Sequence, residues 1–360
     1  MVLKDIEVSA FNIPTEEPES DGTLEWESTT LVLVEATAGD KKGIGYTYAH
    51  QSAASLIITL LKPKITGLDC MDIPSIWLAM QQAIRNQGNC GIAYMALSAV
   101  DSALWDLKAK HLSLPLAKVI GMAREEIPVY GSGGFTSYSI EKLQNQFANW
   151  VDEGIYQVKM KVGRHPTDDV KRVKAAREAI GKDIALFVDA NGAYSEKQAI
   201  TKAHQFAEAG VSWFEEPVSS DNLSGLQFIK NKVPAIVEIA AGEYGYHLSY
   251  FKRMLEAQAV DVLQADATRC GGITGFLRAA NLSRAFMLPL SSHCAPSLHL
   301  HAALAFAHFR HAEYFYDHVR IENMLFDGAQ RPKDGVLTPD LTRPGLGLEF
   351  KHKDAEKYKI

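Results

Sequence analysis

Seven ionisable residues recur along this chain at a steady interval. Lys161, Asp189, Glu215, Glu243, Asp266, His293 and Glu313 stand about 20 to 28 residues apart, each at the end of a short apolar run. That interval is the length of one strand, one helix and two loops. Such a repeat brings one ionisable group per unit to the same end of one parallel sheet. Asp189, Glu215 and Glu243 are then three carboxylates on neighbouring strand ends. Bare, they would repel and raise one another's pKa. A hard divalent cation removes the conflict, and an all-oxygen shell suits Mg²⁺. Any one of these acids reads equally well as a loop or helix-cap carboxylate; the triplet does not.

Lys159 and Lys161 flank Met160 in "YQVKMKVG". Strand side chains alternate, so both lysines share a face. Inside a barrel that face is costly for an ammonium unless carboxylates answer it. Beside a cation and a second lysine, Lys161 is expected to have a lowered pKa and to serve as a base near neutrality. Asp266 and His293 end successive strands. A carboxylate on one ring nitrogen fixes the tautomer and raises the basicity of the other. The expected arrangement is two bases, on strands two and seven, flanking a metal on strands three to five. A metal on a substrate carboxylate stabilises the enediolate formed when the α-proton leaves. Glu216 and Glu238 lie in the same strands and read as salt-bridge or supporting acids. His299, His301, His308 and His311 read as structural.

These groups need a scaffold, and the sequence describes one. From Ile127 onward, eight short apolar runs alternate with amphipathic helical runs: "IPVYGSGGF", "YQVKMKVG", "IALFVDANG", "VSWFEEP", "AIVEIAAGE", "VDVLQADATRCGG", "MLPLSSH" and "HAEYFYD". That pattern predicts a parallel (β/α)8 barrel of the TIM type over residues 126–325. Residues 1–125 read differently, with antiparallel strands followed by helical segments, and predict a small α+β domain. Between its first strands lies "PTEEPESDGTLEWES", polar, acidic and proline-bearing, which reads as a mobile loop. The tail, residues 326–360, reads as loop-like and packing back on the first domain.

Composition narrows the function classes. The net charge is −6 with no block of like charge, which argues against nucleic acid. Four scattered cysteines form no CxxC pair, so neither a disulfide framework nor a zinc site is expected. No stretch is long enough to span a bilayer and the start lacks a signal-peptide run, so a cytoplasmic protein is expected.

The ordered pieces "KMK", "VDAN", "FEEP", "AAGE", "DATRCGGITG", "SSH" and "HAEYF" resemble the enolase superfamily in its mandelate racemase subgroup, and the likeness runs over nearly the whole chain. The resemblance implies a modified (β/α)8 barrel with an N-terminal α+β capping domain completed by the C-terminal tail. It implies Asp189, Glu215 and Glu243 as Mg²⁺ ligands, Lys161 as one acid/base and the His293–Asp266 dyad as the other. It places Lys159 and Asn191 near the substrate carboxylate and metal, and Glu313 on the substrate carboxylate or enolate. Specificity would come from the capping domain, around residues 16–26 and 46–50, with Trp26 and Tyr46 as substrate contacts. The polar, acidic character of residues 16–26 favours a hydroxylated substrate over an aryl one.

The reading that follows is a Mg²⁺-dependent dehydratase of a sugar acid, acting on a small carboxylate substrate and expected to be a homo-oligomer. Racemisation or epimerisation of a 2-hydroxy acid uses the same two bases and is the alternative. A third reading, a non-catalytic sensor keeping the fold, has no need of a base on each face.

Overall fold

The computed structural model describes all 360 residues. Three antiparallel strands open the chain: β1 (Asp5–Ser20), β2 (Glu25–Ala38) and β3 (Lys41–Tyr48), paired in that order. The helix Ile92–His111 crosses β3 at close range. A Cβ on Gly43 would sit 2.3 Å from the Ala103 carbonyl oxygen, and one on Gly45 would sit 2.3 Å from that of Ala99. Only glycine permits that approach. Some of the apolar side chains of this α+β layer form a core of their own, while Phe11, Ile13, Leu31, Leu33, Ile44 and Tyr46 join the larger core around the barrel.

Eight parallel strands follow: β4 (Ile127–Gly133), β5 (Gln157–Lys161), β6 (Ala185–Asp189), β7 (Val211–Glu215), β8 (Glu238–Ala241), β9 (Val262–Ala265), β10 (Leu290–Ser292) and β11 (Phe309–Phe315). They pair in sequence order, and β11 pairs with β4, so the sheet closes into a barrel. Seven of the eight apolar runs of the sequence contain one of these strands whole, and the eighth overlaps β11, which begins two residues earlier at Phe309. The register places Lys161 beside Asp189, and Asp189 beside Glu215. One layer below, aromatic side chains fill the barrel: Tyr130, Phe187 and Trp213 are all buried.

Two expectations are corrected. Residues 14–28 are a strand hairpin and not a loop. β1 runs on to Ser20 despite its charges, and its register with β2 shifts between Pro14 and Glu19 in a bulge. Tertiary partners make this possible. The Thr136 amide donates to the Ser20 carbonyl, Tyr316 bonds Glu16, Lys142 pairs with Glu17, and Arg164 pairs with Glu25 at 2.6 Å. A polar segment that has no reason to extend in isolation is held extended over the barrel mouth.

The tail also differs from a loop packed only on the first domain. β12 (Phe326–Asp327) pairs with β14 (Glu349–Phe350), while β13 (Val336–Leu337) adds to the barrel strand β4. The contact with the first domain is present as well. The Ile360 amide donates to the Ala10 carbonyl, and that of Leu346 to Asp106 Oδ1 at 2.7 Å.

Candidate active site

The C-terminal ends of the barrel strands bring the seven periodic residues together, all of them buried. Alternation along β5 points Lys159 and Lys161 inward, with Lys159 one layer deeper. Lys161 Nζ lies 2.5 Å from Asp189 Oδ2. Lys159 Nζ contacts Glu215 Oε2 at 2.7 Å and Glu313 Oε1 at 2.8 Å. Glu215 Oε2 also accepts from Trp213 Nε1, and Glu313 Oε1 from the Ser132 hydroxyl at 2.6 Å. On the opposite wall, His293 Nδ1 is 2.8 Å from Asp266 Oδ2, and its Nε2 faces Glu243 Oε2 at 3.3 Å. The second oxygen of Asp266 accepts from the Thr268 amide. A neutral ring that donates from Nδ1 to this carboxylate leaves the Nε2 lone pair facing the cavity.

The electrostatics follow from packing so many charges into one small volume. Burial works to raise the Asp189 carboxyl, but the two lysines outweigh it and hold it below the usual range. Burial, then Asp189, push the Glu215 carboxyl up to about 8. Burial is also the largest influence on Glu313, yet Lys159 and His293 hold its carboxyl well below the ordinary value. For His293, burial opposes protonation while Glu243 and the Asp266 hydrogen bond favour it, and the net shift is upward. The expected lowering of Lys161 is not what the protein's own groups produce. Burial and Lys159 lower its pKa, but Asp189, with Glu243 and Glu313, outweighs them, so the ammonium is held above the usual lysine range.

Oxygen atoms of Asp189, Glu215 and Glu243 lie within 4.8 Å of one another. Four buried oxygens on β6, β7, β8 and the turns after them have no hydrogen-bond partner: Glu215 Oε1, Glu216 Oε1, Glu243 Oε2 and Asn191 Oδ1. Buried acceptors are normally satisfied. An orphaned set made only of oxygen suits a hard divalent cation.

Not every expected residue reaches the mouth. Asn191 does: its backbone sits at φ 45°, its amide donates to Asp189 Oδ1 at 2.9 Å, and its side-chain oxygen is among the orphans. Trp26 lies on the hairpin over the mouth, edge-on to Phe135 at 5.6 Å and donating Nε1 to Glu19. Phe135 packs on Phe315, whose ring lies 6.0 Å from Lys161 Nζ. Tyr46 does not reach it. β3 is covered on both faces, so Tyr46 is wholly buried against Phe326 with its hydroxyl donating to Glu322 Oε1 at 2.6 Å.

Glu238 pairs with Arg310 at 2.5 Å, as a salt-bridge residue. Glu216 makes no ion pair; burial and Glu243 push its carboxyl well up. His299 and His301 accept backbone amides of Ala267 and Ala117, and His311 meets the Ser291 hydroxyl, so all three are structural. His308 likewise meets the Ala280 carbonyl. Two residues escaped the sequence reading. Arg269 contacts both Glu243 and Asp266. Cys294 sets Sγ 3.2 Å from His293 Nε2. Their adjacency to Asp266 and His293 in the chain was the available signal.

Comparison with known proteins matches residues 6–121 to "Mandelate racemase / muconate lactonizing enzyme, N-terminal domain" and residues 142–355 to "Enolase C-terminal domain-like". The chain belongs to the enolase superfamily, in its mandelate racemase subgroup. It is therefore an enzyme of that superfamily, a lyase or an isomerase, and the sensor reading falls away. Among its relatives is the arabinonate dehydratase of Saccharolobus solfataricus, 30% identical over 88% of this chain and 87% of that one. A mandelate racemase/muconate lactonizing enzyme-like protein from Rubrobacter xylanophilus has the same fold, with a TM-score of 0.98 and 51% identity over the full length of both chains. A racemase from Streptomyces coelicolor, solved with bound magnesium, superposes with a TM-score of 0.94 at 29% identity, again over both full lengths. No helix is long and apolar enough to cross a membrane.

Proposed function

We propose that this enzyme is a Mg²⁺-dependent dehydratase of a sugar acid. The observation that carries the reading is the placement of Lys161 at the end of β5 and His293 just after β10, on either side of Asp189, Glu215 and Glu243. In this reading those three acids hold the ion, which when bound supplies a Lewis acid for the substrate carboxylate. Lys159 and Asn191 orient that carboxylate, and Glu313 hydrogen-bonds the enolate side. One base removes the α-proton. His293 in its imidazolium form, with Nδ1–H held by Asp266, gives the Nε2 proton to the departing β-hydroxyl, and the enol product tautomerises to a 2-keto-3-deoxy acid. The hairpin over the mouth excludes water, and Trp26 contributes one wall.

A hydroxylated substrate is supported by the hairpin's chemistry. Its tip buries Glu19, Ser20 and Asp21, with the Ser20 and Thr136 hydroxyls 2.6 Å apart. The dehydratase name of the Saccharolobus relative, which acts on a sugar acid, points the same way. The second reading, a racemase or epimerase, is favoured by the near-symmetry of two bases that each have a carboxylate partner, and by the racemase neighbour. Incubating the enzyme and Mg²⁺ with a library of acid sugars, and following keto-acid formation as the semicarbazone absorbance, decides between them. A keto-deoxy product supports dehydration. An inverted acid with no keto product replaces it with racemisation.

A further inference from the structure

The site holds a second group of metal-ligating atoms that the reaction above does not use as such. His293, Cys294 and Glu313 each offer a donor atom, all three lie within 4.8 Å of one another, and all three residues are buried. His293 Nε2 is 3.2 Å from Cys294 Sγ and 3.9 Å from Glu313 Oε2. In a tetrahedral zinc site, Zn–N, Zn–O and Zn–S bonds of about 2.0–2.3 Å set the donors roughly 3.4–3.6 Å apart. The two separations from His293 fall on either side of that spacing, and the third pair, Cys294 with Glu313, lies within 4.8 Å.

The surroundings suit the same ion. Zinc-bound histidine normally donates its other ring nitrogen to a carboxylate, and His293 Nδ1 already meets Asp266 at 2.8 Å. Glu313 is oriented through its other oxygen by Ser132 and Lys159, while the Cys294 amide donates to Oε2 at 2.8 Å. Cys294 and Ala295 take φ of 50° and 38° in succession, a left-handed stretch that residues with a Cβ rarely adopt. Charge leaves room as well. Six buried carboxyls, Asp189, Glu215, Glu216, Glu243, Asp266 and Glu313, stand against three cations, Lys159, Lys161 and Arg269.

We propose that His293, Cys294 and Glu313 form an inhibitory site for a thiophilic divalent cation such as Zn²⁺, distinct from the all-oxygen site on β6, β7 and β8. Binding breaks the S–H bond of Cys294 and forms a sulfur–metal bond, releasing one proton to solvent with no change of oxidation state. The ion takes the Nε2 lone pair of His293. The consequence for turnover rests on the reading of His293 as an acid/base, whereas the site itself does not.

The test is a CoCl₂ titration of Mg²⁺-saturated enzyme in a Cys90→Ser background, because Cys90 is the exposed thiol. One equivalent of Co²⁺ should bind with a thiolate-to-cobalt charge-transfer absorption. Cys294→Ser should lose that absorption and bind at least about tenfold more weakly, since even supporting residues of a metal site are worth that much. Its Mg²⁺-dependent rise in Tm should persist, showing an intact fold. If the variant does not fold, zinc-edge X-ray absorption of the parent protein with ZnCl₂ decides, with one sulfur neighbour expected. A cobalt spectrum without a thiolate band, or one unchanged in Cys294→Ser, overturns the site. So does a zinc spectrum with oxygen and nitrogen neighbours only. No substrate is used, so these outcomes stand whichever acid the enzyme converts.

Discussion

Asp101 of the first domain caps a helix of the barrel: its Oδ2 accepts the Thr274 amide at 2.9 Å and its Oδ1 the Thr274 hydroxyl at 2.7 Å. The capped helix, Gly272–Ala285, follows the loop that carries Asp266. The same loop is gripped by Ser98, whose hydroxyl accepts the Gly271 amide, by Trp77, whose Nε1 donates to the Gly271 carbonyl, and by Thr47, which donates to the Thr268 carbonyl. The two domains are therefore joined at the segment that positions the His293 partner.

Removing this cap should be costly. Asp101→Ala leaves the Thr274 amide without its buried acceptor and should destabilise the protein by about 1–3 kcal/mol, while Asp101→Asn should cost about 0.5–1.5 kcal/mol. Burial pushes the Asp101 carboxyl from 3.8 up to about 7. Because the folded value is the higher one, the folded state holds the proton more tightly. This group's contribution is then full below about pH 4 and lost as pH rises through about 7. Urea denaturation at pH 5 and pH 8 should show a smaller difference between the two pH values in Asp101→Asn than in wild type. An equal difference would remove Asp101 from the account.

The three-carboxylate cluster predicts a metal requirement. Chelation should abolish turnover and Mg²⁺ should restore it. A crystal soaked in Mg²⁺ should show one ion about 2.0–2.1 Å from oxygens of Asp189, Glu215 and Glu243. An ion that bypasses two of the three would refute the assignment. Independently of activity, Asp189→Asn should lose the Mg²⁺-dependent rise in Tm.

The two bases can be separated by the faces they serve. In D₂O, Lys161→Ala should exchange the α-proton only from the His293 side, and His293→Asn only from the Lys161 side. Each should lower turnover by the ~10²–10⁴-fold typical of a lost general acid or base. NMR of the recovered acid measures the exchange. Near-normal turnover in both variants would return the pair to a structural role.

The hairpin over the mouth should act as a docked lid. Its latches are exposed or half-exposed: Arg164 with Glu25, Lys142 with Glu17, and Tyr316 with Glu16. Such pairs are worth about 0.2–1 kcal/mol each, so Arg164→Ala alone should raise KM by less than about fivefold. Combining Lys142→Ala with Tyr316→Phe should speed proteolytic cutting within residues 15–24 and raise KM further, with substrate slowing the cut. Cleavage rates that ignore both the variants and the substrate would exclude a lid.

The sequence by itself determined the barrel and an ionisable residue at or near the C-terminal end of seven of its eight strands. A strand buried on both sides must be an apolar run, so the strand–helix alternation and the polar residue closing each run were both readable without coordinates. The steady spacing from Lys161 to Glu313 follows from the same repeat. Only the tertiary structure decided the rest, because it depends on groups far apart in the chain. The charged segment at residues 15–20 became a strand because Tyr316, Lys142 and Thr136 meet it. Tyr46 left the site because Glu322 and the helix Tyr316–Leu325 cover it. Lys161 was held above the usual lysine range because the register sets it directly beside Asp189. Glu216, Arg269 and Cys294 look incidental along the chain, and they acquire meaning only when neighbouring strands of the barrel set them beside Glu243, Asp266 and His293.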